Sequence, residues 1–309
     1  MPDVKIHKMS GAGNDFVVMD GRGKEMDEFR EAERIRELCR EFRTDGLMIL
    51  LEGMSPSDHL DFRMEFYNPD GSGGMMCGNG GRCIAAFADW LGITPSEPGH
   101  YRFQAPDGLH TAEILSRPDS GCGTTDTGKQ WTVRLGMIDV DGIREVLGGY
   151  FLNTGTRHFV KFVEDVDAID VATEGKALRW NETFAPEGAN VNFVQRMPDG
   201  TLKIRTYEKG VEGETLACGT GITAAAIAVW YSCSDGEKAG PCPEKRDPVP
   251  AFPIAENNNA TACPPLVADD GRVSIRLQAR RGDILTVDFI PDGPASFSSI
   301  HLTGPAELL

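Results

Sequence analysis

The sequence predicts an α+β protein of two structurally repeated domains, each a mainly antiparallel sheet or barrel wrapped around one central buried helix. Three observations predict it. Cys77-Gly78-Asn79-Gly80 and Cys218-Gly219-Thr220-Gly221 share the pattern Cys-Gly-polar-Gly, nearly half the chain apart. Each turn runs into an alanine-containing apolar segment, and Ile222–Trp230 is apolar on nearly all sides, which marks a helix enclosed by other structure. Each turn also follows strand-like segments, so the order of strands, cysteine turn, apolar helix and strands occurs twice. The implied domains are residues 1–127 with the C-terminal segment 297–309, carrying Cys77, and residues 128–296, carrying Cys218.

The elements follow in order. Val4–Met9 and Phe16–Asp20 read as strands joined at Gly11-Ala12-Gly13-Asn14-Asp15. The Gly-Ala-Gly there is no dinucleotide fingerprint, because a strand-like run and not a helix follows it. Met26–Phe42 has helical period, with Ile35, Leu38 and Phe42 apolar among charges. Leu47–Leu51 is a short apolar strand, and Asp61–Tyr67 alternates with Phe62, Met64 and Phe66 on one face. Asn68-Pro69-Asp70-Gly71 is a turn. A helix over Arg82–Trp90 follows Cys77. In the second half the strands are Trp131–Met137, Phe159–Val163, Val191–Gln195 and Lys203–Tyr207, before the loop Glu208–Glu214 and Cys218. Val273–Ala279 and Asp283–Phe289 form a late hairpin. The stretch 233–271 holds seven of the nineteen prolines and reads as a long loop.

Composition narrows the function. A net charge of −16 opposes nucleic acid, which needs a basic face, and equally an anionic membrane surface. No apolar run approaches the ~18 residues of a spanning helix. The N-terminus lacks the apolar core of a signal peptide, so the expected compartment is the cytoplasm, with the eight cysteines reduced. None forms Cys-x-x-Cys, and Cys77 and Cys83 fall on different helix faces, so no metal site is expected. Cys39, Cys83 and Cys122 read as small buried apolar residues.

The two cysteine turns carry the chemistry. Glycine lets backbone approach a ligand closely. The unpaired N–H groups of a first helical turn bind an anion such as a carboxylate, and the same partial positive charge favours thiolate over thiol. Two such turns, one per domain across a cleft, would hold a carboxylate with a sulfur on each face of its α-carbon. One thiolate would take the α-proton and the opposite thiol would return one, inverting the centre without a cofactor. The plainer reading is two tight strand–helix turns with incidental cysteines, and the matched flanks weigh against it.

At this point the chain resembles the diaminopimelate epimerases. Phe66-Tyr67-Asn68-Pro69-Asp70-Gly71-Ser72 with Cys77-Gly78-Asn79-Gly80-Gly81-Arg82-Cys83 is similar to their first-cysteine motif, and Glu214-Thr215-Leu216-Ala217-Cys218-Gly219-Thr220-Gly221 to their second. Gly11–Phe16, Asn190-Val191-Asn192-Phe193-Val194, Tyr207-Glu208-Lys209-Gly210 and Leu302-Thr303-Gly304-Pro305-Ala306 also correspond. The resemblance implies interconversion of LL- and meso-2,6-diaminopimelate without pyridoxal phosphate, serving lysine and cell-wall precursor synthesis, in a homodimer. It implies Cys77 and Cys218 as the two bases, with Cys218 accepting the proton in the LL-to-meso direction. His158 and Glu208 would flank the thiols and adjust their acidity. Gly78-Asn79 and Gly219-Thr220 would bind the α-carboxylate through N–H groups. Asn14, Asn68 and Asn190, with Glu208 and Lys209, would hold the amino groups and the distal carboxylate. Outside the resemblance, a lone histidine, a strand-end glutamate and turn asparagines are ordinary structural residues.

The chain departs from the family pattern in places. Lys209 stands where arginine is usual, replacing a bidentate fork by a point charge. Thr156-Arg157-His158 replaces Asn-Pro-His, Arg43-Thr44-Asp45-Gly46 is a shortened loop, and the Pro-rich stretch is long. Three other readings compete. A proline racemase or hydroxyproline epimerase would use the same cysteine pair without a distal carboxylate site. A non-catalytic carboxylate-binding protein would not need the thiols, and a thiol redox protein lacks Cys-x-x-Cys.

Overall fold

The computed structural model describes residues 4–53, 59–74, 77–118, 128–234 and 266–309. Cys122 and most of the Pro-rich stretch, 235–265, lie outside the described residues. In chain order the first elements are β1 (Ile6–Gly11), β2 (Asn14–Asp20), α1 (Ala32–Phe42), β3 (Leu47–Leu51), β4 (Phe62–Tyr67), α2 (Gly78–Trp90), β5 (His100–Ala105), β6 (Gly108–Ser116) and β7 (Lys129–Gly136). There follow β8 (Val140–Asp141), β9 (Ile143–Val146), β10 (Gly149–Asn153), β11 (Arg157–Phe162), α3 (Val171–Arg179), β12 (Asn190–Arg196), β13 (Leu202–Glu208), β14 (Gly213–Thr215) and α4 (Gly219–Ser234). The last are β15 (Leu266–Val267), β16 (Val273–Gln278), β17 (Ile284–Pro291) and β18 (Ser296–Leu308).

The backbone divides into two compact units. The first is Met1–Met137 with Leu216–Gly219 and His301–Leu309, and the second is Ile138–Thr215 with Thr220–Ile300. The division after Met137, where the sequence suggested 127, follows from pairing: β7 is bonded to β6 and to the end of β18. The segment carrying Cys218 itself groups with the first unit, and α4 continues into the second from Thr220.

The first unit is a closed ring of eight strands. Pairing runs from β1 to β2, β3, β4, β5, β6, β7 and β18, and β18 returns to β1 through Met9 opposite Leu308. Closure leaves the ring without an open edge. The β1–β2 hairpin is closed by Ala12 and Gly13, both at positive φ, as a two-residue primed turn requires. Inside the ring lies α2, whose Cys83–Ala88 segment is wholly buried among Phe16, Met48, Phe62, Phe103, Trp131 and Val133. A helix apolar on nearly all sides is one enclosed by other structure. The amphipathic α1 packs elsewhere, placing Ile35, Leu38 and Cys39 with Val17, Met19, Leu47 and Ile49.

The second unit repeats the path. Hairpin β1–β2, helix α1, parallel strand β3 and hairpin partner β4 have counterparts in β10–β11, α3, β12 and β13. After β4 the chain passes through α2 to the parallel strand β5, and after β13 it passes through α4 to the parallel strand β16. The hairpins β5–β6 and β16–β17 complete the match. Helix α4 buries Ile222, Thr223 and Ala224–Ala228, and Trp230 meets Phe289 and Phe297 edge-on. No helix among the described residues is long and apolar enough to cross a membrane.

Candidate active site

In the first unit Cys77 is the N-cap of α2, in extended conformation (φ −103°, ψ 155°), and its sulfur accepts the Gly80 N–H at 3.2 Å. Cys218 immediately precedes α4 and is 9% exposed. The two helix starts abut. A Cβ added to Gly219 would lie 3.0 Å from Gly78 Cα and 3.4 Å from Gly78 N, and one added to Gly78 would meet Gly219 Cα at 3.3 Å and Leu302 Cδ2 at 3.0 Å. Gly78 and Gly219, the first residues of α2 and α4, are therefore in direct contact, and the dipole at each helix start favours an anion.

Asn14 and Asn79 join this group. The Asn79 side chain donates to Asn14 Oδ1 at 2.6 Å and, more weakly, to the Ala217 carbonyl at 3.4 Å. Asn14 in turn donates to Asp45 Oδ2 at 3.1 Å. Asn68 lies in the turn after β4, where its side chain donates to Ser72 Oγ at 3.0 Å.

Of the other expected residues, His158, Asn190, Lys209 and Thr220 share one chain of hydrogen bonds in the second unit. His158 is fully buried on β11. Its Nδ1 faces the Asn192 amide at 3.1 Å, and its Nε2 lies 2.9 Å from both Thr156 Oγ1 and Thr220 Oγ1. Asn192 also donates to the Phe159 carbonyl and accepts from Thr206 Oγ1 at 3.0 Å, which orients its amide. An amide NH2 can only donate, so Nδ1 is the acceptor and the neutral ring carries its proton on Nε2. Burial pushes the imidazole down to about 3. A neutral ring acts on its neighbours by hydrogen bonding and not by charge. Asn190 accepts the Lys209 N–H at 2.7 Å and donates to Thr156 Oγ1 and to the Arg157 carbonyl. Thr156 thus gathers Asn190, His158 and Thr220 with one hydroxyl, and Thr154 Oγ1 donates to the Thr220 carbonyl at 2.8 Å. Glu208 ends β13, half-buried, and Lys209 is exposed.

Two residues carry more than the sequence assigned them. Asn192 is wholly buried in β12 between Val191 and Phe193, and a buried asparagine in a strand is a signal that it has a fixed partner. Arg82 is a charge inside an apolar helix. No cluster of three or more His, Cys, Asp or Glu suited to a metal occurs among the described residues.

The histidine sets a pH dependence. Its native value lies below the ordinary 6.5, so the unfolded chain takes up a proton that the fold refuses. The contribution is full above pH 6.5 and is lost as pH falls from there towards 3. Between pH 7 and pH 5 the native protein is expected to lose roughly 2 kcal/mol more than His158→Gln, measured by urea unfolding. Equal losses in the two proteins would mean that His158 is protonated in the fold.

The comparisons with known proteins converge. The family model described as diaminopimelate epimerase matches residues 6–132 and 150–239. The diaminopimelate epimerase of Aquifex aeolicus is 41% identical over 242 residues, 72% of this chain and 80% of that protein. The diaminopimelate epimerase of Chlorobaculum tepidum is 41% identical over 227 residues, 71% and 80% of the two chains. Among solved structures, a PhzF-family phenazine biosynthesis protein from Bacillus anthracis aligns over 100% of this chain and 98% of its own, with TM-score 0.65 at 12% identity. A hydroxyproline epimerase from Agrobacterium vitis aligns over 99% and 89%, with TM-score 0.58 at 16% identity. Those two likenesses are of fold. The family match and the sequence relatives reach further: the paired cysteine turns sit in a chain that belongs to the diaminopimelate epimerase family.

Proposed function

We propose that this protein interconverts LL- and meso-2,6-diaminopimelate by proton transfer between two thiols, in the cytoplasm, for lysine and peptidoglycan precursor synthesis. The observation that carries the proposal is the abutment of two helix starts, each directly after a cysteine. The α-carboxylate would sit on the N–H groups of Gly78-Asn79 and Gly219-Thr220. In the LL-to-meso direction the Cys218 thiolate takes the α-proton, and the C–H electron pair moves into the carboxylate, whose developing charge the helix starts stabilise. The Cys77 thiol then donates its proton to the opposite face of the carbon. Cys218 is left as thiol and Cys77 as thiolate, and the reverse reaction exchanges their parts. The Gly80 N–H aimed at the Cys77 sulfur helps it carry that negative charge.

Asn14, Asn68, Asn190, Glu208 and Lys209 would hold the distal amino and carboxylate groups. His158 would act through Thr156 and Thr220, fixing the first turn of α4. No electron-sink cofactor is needed, because the carboxylate itself takes the charge.

The test is exchange of solvent deuterium into the α-position of LL-diaminopimelate, in reducing buffer with no added cofactor. Exchange into LL-diaminopimelate but not into proline or 4-hydroxyproline is expected. Exchange into proline alone would replace this reading by a proline racemase, and no exchange into any of the three would remove the epimerase reading.

A further inference from the structure

Arg82 is the largest fully buried side chain among the described residues, and it is charged. Removing a guanidinium from water is costly unless its donors are satisfied. Here they fan out along the first turn of α2. Nη1 donates to the Gly78 carbonyl at 3.1 Å, Nη2 to Asn79 Oδ1 at 2.8 Å, and Nε to the Pro305 carbonyl on β18 at 3.3 Å. The contact with Asn79 has a directional consequence. A guanidinium only donates, so Asn79 must turn its oxygen inward and its NH2 outward. That NH2 meets Asn14 Oδ1 and the carbonyl of Ala217, the residue before Cys218.

Resting on the reading of Cys77, Cys218 and Asn14 just given, we propose that Arg82 is a positioning residue that sets both cysteine turns through Asn79. One rigid fork grips Gly78, the residue after the first cysteine. Through the Asn79 amide the same fork orients Asn14 and draws in the residue before the second cysteine. The planar guanidinium matters as much as the charge, because a lysine ammonium cannot hold the Gly78 carbonyl, Asn79 Oδ1 and the Pro305 carbonyl in one fixed plane. The sequence position explains the spacing. Arg82 lies four residues after Gly78 and three after Asn79, the two offsets that share a helix face.

Two variants isolate the relay. Arg82→Lys keeps the charge and loses the fork. Asn79→Asp keeps an acceptor for Arg82 but has no N–H to give to Asn14 or Ala217. The first measurement needs no substrate: alkylation of each thiol by iodoacetamide, followed by peptide mapping, in protein whose thermal transition shows it folded. Cys218 is expected to react about fivefold faster in both variants, the effect of releasing one hydrogen bond from its turn. The second is α-proton exchange, where kcat is expected to fall about 100-fold in both variants, as misplacement of reacting groups does. A Cys218 alkylation rate within twofold of the native value in either folded variant, or kcat unchanged beside a lowered thermal transition, would overturn the proposal and leave Arg82 a structural residue. Faster alkylation in the variants, in a protein whose native form exchanges no diaminopimelate proton, would sink the substrate assignment and leave the relay standing.

Discussion

Cys77→Ala and Cys218→Ala will each abolish stereoinversion, by about 1,000-fold or more, with the fold retained. Positioned acid–base groups contribute typically 10²- to 10⁴-fold, and the proposed mechanism uses both within a single turnover. Inversion needs a proton removed from one face and delivered to the other, so a lone thiol can at best exchange a proton on its own side. The double variant is therefore expected to be no worse than the poorer single one, because the two sulfurs act as a unit. The structural costs are small and unequal. Cys77→Ala removes the sulfur that caps α2, at about 0.5–2 kcal/mol. Chiral separation of the product diastereomers, with thermal unfolding as the control, reads both effects. Full activity in either variant would end the two-thiol mechanism.

Gly219→Ala is expected to lower kcat about 100-fold. The new methyl would lie 3.0 Å from Gly78 Cα and 3.1 Å from Leu302 Cδ2. The leucine can rotate away, but Gly78 Cα is backbone at the start of α2, so the two helix starts must separate. A shift of a few tenths of an ångström disturbs both cysteine turns at once, and overpacking of this kind costs about 1–3 kcal/mol of stability. Gly78→Ala gives the contrast. Its closest contact is the leucine methyl, with Gly219 Cα slightly farther at 3.3 Å, so a milder loss is expected. Steady-state kinetics on both variants would show the difference, and an unimpaired Gly219→Ala enzyme would mean that close abutment of the helices is not needed.

The features of the fold that were legible in the sequence are those with local causes. The all-round apolar character of α2 and α4 announced enclosed helices, and Leu47–Leu51 announced β3. Their starts were less legible. The sequence pattern starts α2 at Arg82, yet the helix begins at Gly78, because Gly78, Gly80 and Gly81 lower helix propensity while tertiary contact requires small residues there. Helix α3 was hidden by Gly175, whose missing side chain makes room for the Tyr207 ring, although Asp170 caps it in ordinary fashion. The parallel pairings β2–β3, β4–β5, β11–β12 and β13–β16 depend on partners far along the chain, and no local pattern encodes them. The site divides similarly. Cysteine turns are local motifs and stood out. The hydrogen bonds of Asn192 to His158 and of Arg82 to Asn79 depend on orientation, which a residue string does not contain.

The ring of the first unit has an implication for how the chain is made. Seven of its strands are complete by Gly136, but the eighth, the end of β18, is synthesised about 170 residues later. At ~5–20 residues per second a ribosome takes roughly ten to thirty seconds to cover that distance. Throughout that interval β1 and β7 each lack the neighbour that joins them, and α2 has no finished enclosure. The cysteine that opens α2 therefore reaches its final setting only after the whole second unit has left the ribosome, so that a translation product interrupted anywhere before β18 carries an exposed strand edge and an unfinished enclosure around α2.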